Sequence, residues 1–186
     1  MDNTNFCLNP DDIKELITTK TKAIMPVHYA GSPGNLDEIY KIAEIYNLRV
    51  IEDSAHAFGS LYKNKKVGSF GDISCFSFDG IKNITSGEGG CIVSSDEELI
   101  KKVKDARLLG VCGDSEKRYS KKRSWEFDVK YQGWRYHMSD IMAAIGIAQL
   151  DRFDNLSYKR QELAKEYQKK LSNSDKLKLL DHNYDY

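Results

Sequence analysis

Between Asp72 and Ser94 the chain reads DISCFSFDGIKNITSGEGGCIVS, and no other stretch narrows its possible folds as far. Two short apolar runs, Ile73–Phe78 and Cys91–Ser94, have the β-branched and aromatic content of buried strands. The first carries Ser77 near its tip. The loop beyond holds one lysine, Lys82, and then the cluster Gly87-Glu88-Gly89-Gly90. Most lysines lie on solvated helix faces, because an ammonium taken out of water must be paired or neutralised. Lys82 is flanked by Gly80, Ile81 and Ile84, so its side chain is predicted to point into a site. The glycine cluster lacks the Gly-Lys-Ser/Thr ending of a nucleotide phosphate loop. It reads as a tight turn behind the lysine, where side chains would clash.

The rest of the chain places this stretch in an α/β order. Pro10 and the acidic pair Asp11-Asp12 predict a short helix over 11–18. Ala23–Val27 is predicted as a buried strand ending at His28, and Gly31-Ser32-Pro33-Gly34 as a loop. Asn35 is the expected N-cap of a helix over Leu36–Tyr46, whose Leu36, Ile39, Ile42 and Ala43 share one face. Arg49–Glu52 is the next strand, so the order is that of a parallel sheet with crossover connections. Tyr62–Lys66 reads as a polar loop. Ser95 or Asp96 is expected to cap a helix over Glu97–Leu109, and Gly110–Tyr131 a long surface loop with a solvated Lys/Arg cluster over Lys117–Arg123. Ser139 should cap an apolar helix from Asp140, rich in small residues, before a charged amphipathic helix that runs to about Leu171. Asn173–Tyr186 reads as a strand approach or a frayed tail.

Composition limits the function classes. With 28 basic and 28 acidic residues, the chain has no positive excess to neutralise a phosphate backbone, and nucleic acid is not an expected partner. Cys7, Cys75, Cys91 and Cys112 form no CxxC pair and read as buried free thiols of a reducing compartment. There is no signal-peptide pattern, and no apolar run approaches the roughly 20 residues of a membrane span, so a cytoplasmic protein without a membrane partner is expected.

These residues resemble a known family. The order Phe76-Ser77-Phe78, Lys82-Asn83 and Gly87-Glu88-Gly89-Gly90 is similar to the F-S-F-x-x-x-K-N and G-[ED]-G-G motifs of the DegT/DnrJ/StrS sugar aminotransferases, which use pyridoxal 5'-phosphate. Glu52-Asp53-Ser54-Ala55-His56-Ala57-Phe58-Gly59 matches the family's E-D-x-A-[QH]-A-x-G. Gly133-Trp134-Arg135-Tyr136-His137-Met138-Ser139 is similar to G-Y-N-Y-R-M-S, with Arg135 in place of the asparagine and His137 in place of the arginine. The resemblance implies a fold-type I large domain: a mostly parallel sheet flanked by helices. Residues 1–150 would be a partial cofactor-binding large domain and 151–186 a helix leading towards a truncated small domain.

The same resemblance implies roles. Lys82 would bond the cofactor covalently and then act as the general base. Asp53 would hold a proton on the ring nitrogen, which keeps the ring an electron sink. The plain structural alternative for Asp53 is a cap on the turn after its strand. His56 would hydrogen-bond the phenolic oxygen, with a backbone-bonded core histidine as its alternative. Ser77 would donate to the cofactor phosphate, and Arg135 would reach the phosphate held by the partner subunit of a homodimer. The implied reaction transfers an amino group from glutamate to a nucleotide-linked keto sugar for a surface polysaccharide such as lipopolysaccharide. The Gly-Glu-Gly-Gly form leans towards a 4-keto sugar. Sugar dehydratases of the same kind usually replace the lysine with histidine, so Lys82 argues against that chemistry. The family's Gly-Thr-Ser phosphate turn and small domain are not found in this sequence. The chain alone is therefore expected to be inactive, and the rival reading is a non-catalytic remnant, or one half of a split enzyme completed by an N-terminal polypeptide.

Overall fold

The computed structural model describes residues 1–113, 120 and 128–180. The first helix, α1 (Pro10–Leu16), starts where Asn9 accepts a hydrogen bond from the Asp11 N–H at 3.0 Å, with Pro10 in the first turn. It ends short of the expected Thr18, because Ile17 is already extended. Helix α2 (Leu36–Ile45) is capped by Asn35 as expected and buries Leu36, Ile39, Ile42 and Ala43.

Strands β1 (Ala23–Ile24), β2 (Arg49–Asp53), β5 (Ile73–Ser77) and β6 (Gly90–Ser94) form one sheet in the order β1-β2-β5-β6. The first three run parallel, and β6 runs antiparallel to β5. The strand expected over Ala23–Val27 is regular only to Ile24, since Pro26 has no N–H to offer the ladder. Pairing resumes at Val27 opposite Asp53, where Asp53 N–H donates to Pro26 C=O and His28 N–H to Asp53 C=O. Tyr62–Lys66 is not a loop. Leu61–Tyr62 (β3) and Lys65–Lys66 (β4) make a tight hairpin, with Lys63 and Asn64 both at positive φ, as a two-residue primed turn requires.

Period-2 alternation sorts the sheet into two faces. Ile24, Pro26, His28, Val50, Glu52, Ser54, Ser74 and Phe76 are buried. Ile24 and Val50 join α1 and α2 in a core with Ile13, Leu36, Ile39 and Ile42, each such side chain contributing about 1.5–3 kcal/mol of transfer free energy. On the other face Ile51, Asp53, Ile73, Cys75 and Ser77 are only partly buried, and Met25, Val27 and Ile92 are exposed; Met25 is 60% exposed.

Helix α3 (Glu97–Ala106) is capped by Asp96 and stops before the expected Leu109, which takes φ +60° next to Gly110. The expected surface loop over 110–131 is pinned at its ends by Val111 paired with Val129, while its Lys/Arg cluster lies outside the described residues apart from Ser120. Helix α4 (Asp140–Leu150) is capped by Ser139, and α5 (Phe153–Leu171) follows after a break at Asp151-Arg152. The expected reading of 173–186 falls partly outside the described residues; 178–180 have no regular structure. All four cysteines are free, and no described helix is long and apolar enough to cross a membrane.

Candidate active site at the strand tips

Three parallel strands end at one edge, where open α/β sheets collect ligands. Asp53 is the last residue of β2 and pairs with Cys75 of β5, two residues before Ser77. In-register partners of parallel strands and alternate residues of one strand share a face, so Asp53, Cys75 and Ser77 form a row on the half-covered face. The Cys75 thiol is pushed above its ordinary value by burial and by the nearby Asp53 charge. Asp53 Oδ1 accepts from Ala55 N–H at 3.1 Å, which turns the chain away from the sheet and leads it to His56. This is the capping turn foreseen as the alternative for Asp53, and it uses one carboxylate oxygen.

A chain of local bonds carries β5 onward to Lys82. Ser77 Oγ accepts from Asp79 N–H at 3.3 Å, Asp79 Oδ1 accepts from Ile81 N–H at 3.0 Å, and Asp79 C=O accepts from Lys82 N–H at 3.1 Å. Asn83 Nδ2–H then donates to Phe58 C=O at 2.6 Å, tying the lysine loop to the loop that follows β2. The glycine cluster behind it is a close approach: a Cβ on Gly90 would lie 2.5 Å from Phe76 C=O. Helix α4 seats on this turn, with Gly146 close enough to Ser86 that a Cβ would lie 3.4 Å from its Cβ.

Lys82, His56, Asn83 and Phe58 line one cavity of about 380 Å³, to which α5 also contributes wall. Asn83 Oδ1 is buried there without a hydrogen-bond partner among the described residues. Asp53 and Ser77 stand at the same sheet edge but do not line this cavity. His56 is exposed, with its ring edge-on to Tyr29 at 6.5 Å, and is not a backbone-bonded core histidine. Arg135 is not brought to Lys82. It pairs with Leu108 in the segment docked on the end of α3 and is exposed.

The sequence reading passed over a second group of polar residues. On the buried face, His28 Nε2 and Glu52 Oε2 lie 2.7 Å apart with both side chains fully buried. Tyr40 O–H donates to Glu52 Oε1 at 2.5 Å and accepts from Asp72 N–H at 3.0 Å. Burial and the Glu52 carboxylate push the Tyr40 hydroxyl far above its ordinary value. The signal was present in the alternation: 24, 26, 28 and 50, 52, 54 fall on one face, which puts His28 beside Glu52. Ser157, Arg160 and Gln161 of α5 also line the lysine cavity, and nothing local in the sequence ties them to it.

The DegT/DnrJ/EryC1/StrS aminotransferase family matches residues 1–185. An uncharacterized protein of Methanocaldococcus jannaschii is 46% identical over 177 residues, covering 95% of this chain and 46% of that protein. The spore coat polysaccharide biosynthesis protein SpsC of Bacillus subtilis is 38% identical over 168 residues, covering 90% of this chain and 43% of its own. Among solved structures, Helicobacter pylori PseC, an aminotransferase involved in the biosynthesis of pseudoaminic acid, superposes with a TM-score of 0.82 at 36% identity, covering 91% of this chain and 43% of PseC. The chain thus spans less than half the length of these relatives. Its sheet and flanking helices are those of a fold-type I aminotransferase, and the aminotransferases of this group use pyridoxal 5'-phosphate. The chain belongs to the DegT/DnrJ/EryC1/StrS aminotransferase family.

Proposed function

We propose that this chain carries the cofactor-holding part of a pyridoxal phosphate-dependent enzyme that moves an amino group from glutamate to a nucleotide-linked keto sugar, in the making of a surface polysaccharide. The observation that carries the reading is the meeting of Asp53, His56, Ser77 and Lys82 at one edge of a parallel sheet. The residues fit the cofactor: an amine and an unpartnered buried amide oxygen open into one cavity, and a carboxylate and a hydroxyl stand in a row beside it.

Pyridoxal phosphate, when bound, supplies an electron sink for the carbon whose proton is removed. The chain's own groups do the rest. Lys82 Nζ would anchor the cofactor and, when free, would serve as the base that accepts the substrate proton and returns it in the 1,3-shift. The Asp53 carboxylate, one oxygen held by Ala55 N–H, keeps a proton on the ring nitrogen through the other. Ser77 Oγ already accepts from Asp79 N–H, so its own O–H is turned outward to donate to the phosphate. His56 holds the phenolic oxygen. Phe58 and Phe153 give the cavity an apolar wall. Arg135, exposed and remote from this chain's Lys82, is assigned to the phosphate of the partner subunit in a homodimer. Residues 1–150 form the cofactor-binding unit, and α5 leads out of it.

The test is direct labelling. The purified chain, incubated with pyridoxal phosphate and reduced with borohydride, should yield one modified peptide, carrying Lys82, and the label should vanish in Lys82→Arg. A label on another lysine would reject the assignment.

A further inference from the structure

Helix α5 turns a stripe of mixed polarity towards the lysine cavity. A helix lying on a domain ordinarily turns its apolar stripe inward. Here Phe153, Ser157, Arg160, Gln161 and Ala164, spaced as one helical stripe, face the cavity that holds Lys82. Leu163, 53% exposed, and Tyr167, 59% exposed, do not line the cavity. The helix is held in this orientation by Phe153, whose ring packs edge-to-face on Phe58 at 5.2 Å and sits directly over Gly59. No described residue lining the cavity is acidic, while Lys82 and Arg160 are both cationic and His56 adds an imidazole. Two cations lining one concavity with no carboxylate in its wall repel each other unless an anion lies between them.

We propose that the polar stripe of α5 is an oxyanion-recognition site for the substrate, with Arg160 as its bidentate cation and Ser157 and Gln161 as neutral hydrogen-bonding neighbours. Arg160 and Lys82 line the same cavity from different elements, so the oxyanion would be read by the helix while the reacting carbon stands near Lys82. The same chemistry is offered by a carboxylate of the amino donor and by a phosphate of the acceptor. Both fit an arginine fork, and a lysine at this position would bind either less specifically. The inference rests on the aminotransferase reading only for the source of the anion, not for its binding.

The experiment is a calorimetric titration of the purified chain with two probes, sodium pyrophosphate and sodium glutarate, at low ionic strength. The wild type should bind one of them. Arg160→Gln should weaken that binding roughly tenfold or more, as loss of a charge-assisted pair does, and Arg160→Lys by less. Arg152→Gln, an arginine at the N-cap of the same helix and outside the cavity, should leave it unchanged, with circular dichroism showing equal helix content in all variants. Pyrophosphate dependence on Arg160 identifies the phosphate source, and glutarate dependence the carboxylate source. Wild-type chain that binds neither probe, or Arg160→Gln that binds as the wild type does, overturns the proposal. Borohydride labelling of Lys82, run in parallel, separates the two ideas. A labelled Lys82 without Arg160-dependent anion binding leaves the cofactor reading standing alone. Arg160-dependent binding without the label leaves the anion site standing alone.

Discussion

At the residue scale, neighbouring positions of β2 point to opposite faces and do opposite work. Asp53 stands on the half-covered face at the site. Changing it to Asn removes a charge and keeps the shape, and the amide oxygen still accepts from Ala55 N–H. Asp53→Asn is therefore expected to melt within a few degrees of the wild type while weakening pyridoxal phosphate binding, measured by its absorbance titration; unchanged affinity would count against the ring-nitrogen role. Glu52, one residue back, is fully buried against His28 and Tyr40. His28→Ala leaves a buried carboxylate with Tyr40 as its one side-chain partner, and removing one member of a buried pair costs roughly 3–5 kcal/mol. The expected result is a fall in Tm on the order of 10 °C by differential scanning calorimetry. A third residue sets an acid limit. Asp72 receives Arg49 through Nε at 2.7 Å and Nη2 at 2.6 Å, and this pairing holds its carboxyl below the ordinary 3.8. A depressed folded value stabilises the fold above pH 3.8, and that stabilisation is lost as pH falls through the lowered value. The pair is partly exposed, so its worth is about 1 kcal/mol or less. Arg49→Gln should narrow the stability difference between pH 6 and pH 3 by that amount in urea melts.

At the element scale, the placement of α5 depends on one glycine. Gly59 has φ +83°, and a Cβ there would lie 2.5 Å from the Phe153 ring. An alanine must strain the backbone and push the ring at once. Gly59→Ala is expected to displace the start of α5 and raise hydrogen exchange across 153–164, with α1 and α2 unaffected because they belong to the other core cluster. Uniform exchange in wild type and variant would show that Phe153 does not anchor the helix. Helix α4 raises a different question. Its sequence DIMAAIGIAQL is apolar all round, and none of it is fully buried; Ile141 is 74% and Ile147 64% exposed.

At the scale of the whole molecule, that helix and the open sheet face belong together. Met25, Val27 and Ile92 on the sheet and Ile141, Ile147 and Leu150 on α4 leave apolar surface in water. Surface of this extent drives association. The chain is expected to sediment as dimers or larger species at micromolar concentration, and Ile141→Lys with Ile147→Lys should shift it towards monomer. A wild-type chain monomeric at every concentration tested would reject this.

The sequence by itself determined what depends on neighbours along the chain. The caps Asn9, Asn35, Asp96 and Ser139 were legible because a capping bond spans only two or three residues. The parallel β-loop-α-β order, and the delivery of Lys82 beyond a strand tip, followed from local runs of apolar and turn residues. The family motifs likewise lie within short windows. Boundaries slipped where a single residue overruled propensity, as Pro26 did in the first strand and Leu109, at positive φ, did after α3. The hairpin over Leu61–Lys66 was hidden because its turn residues, Lys63 and Asn64, carry no glycine to signal positive φ. What only the tertiary structure decided are the meetings across distance. His28 finds Glu52 because β1 and β2 pair in one register. Arg160 shares a cavity with Lys82 because an aromatic contact between Phe58 and Phe153 seats the start of α5 beside the strand tips. Helical periodicity places Arg160 on one stripe with Phe153 and Ala164, but it contains no term for what lies opposite the helix.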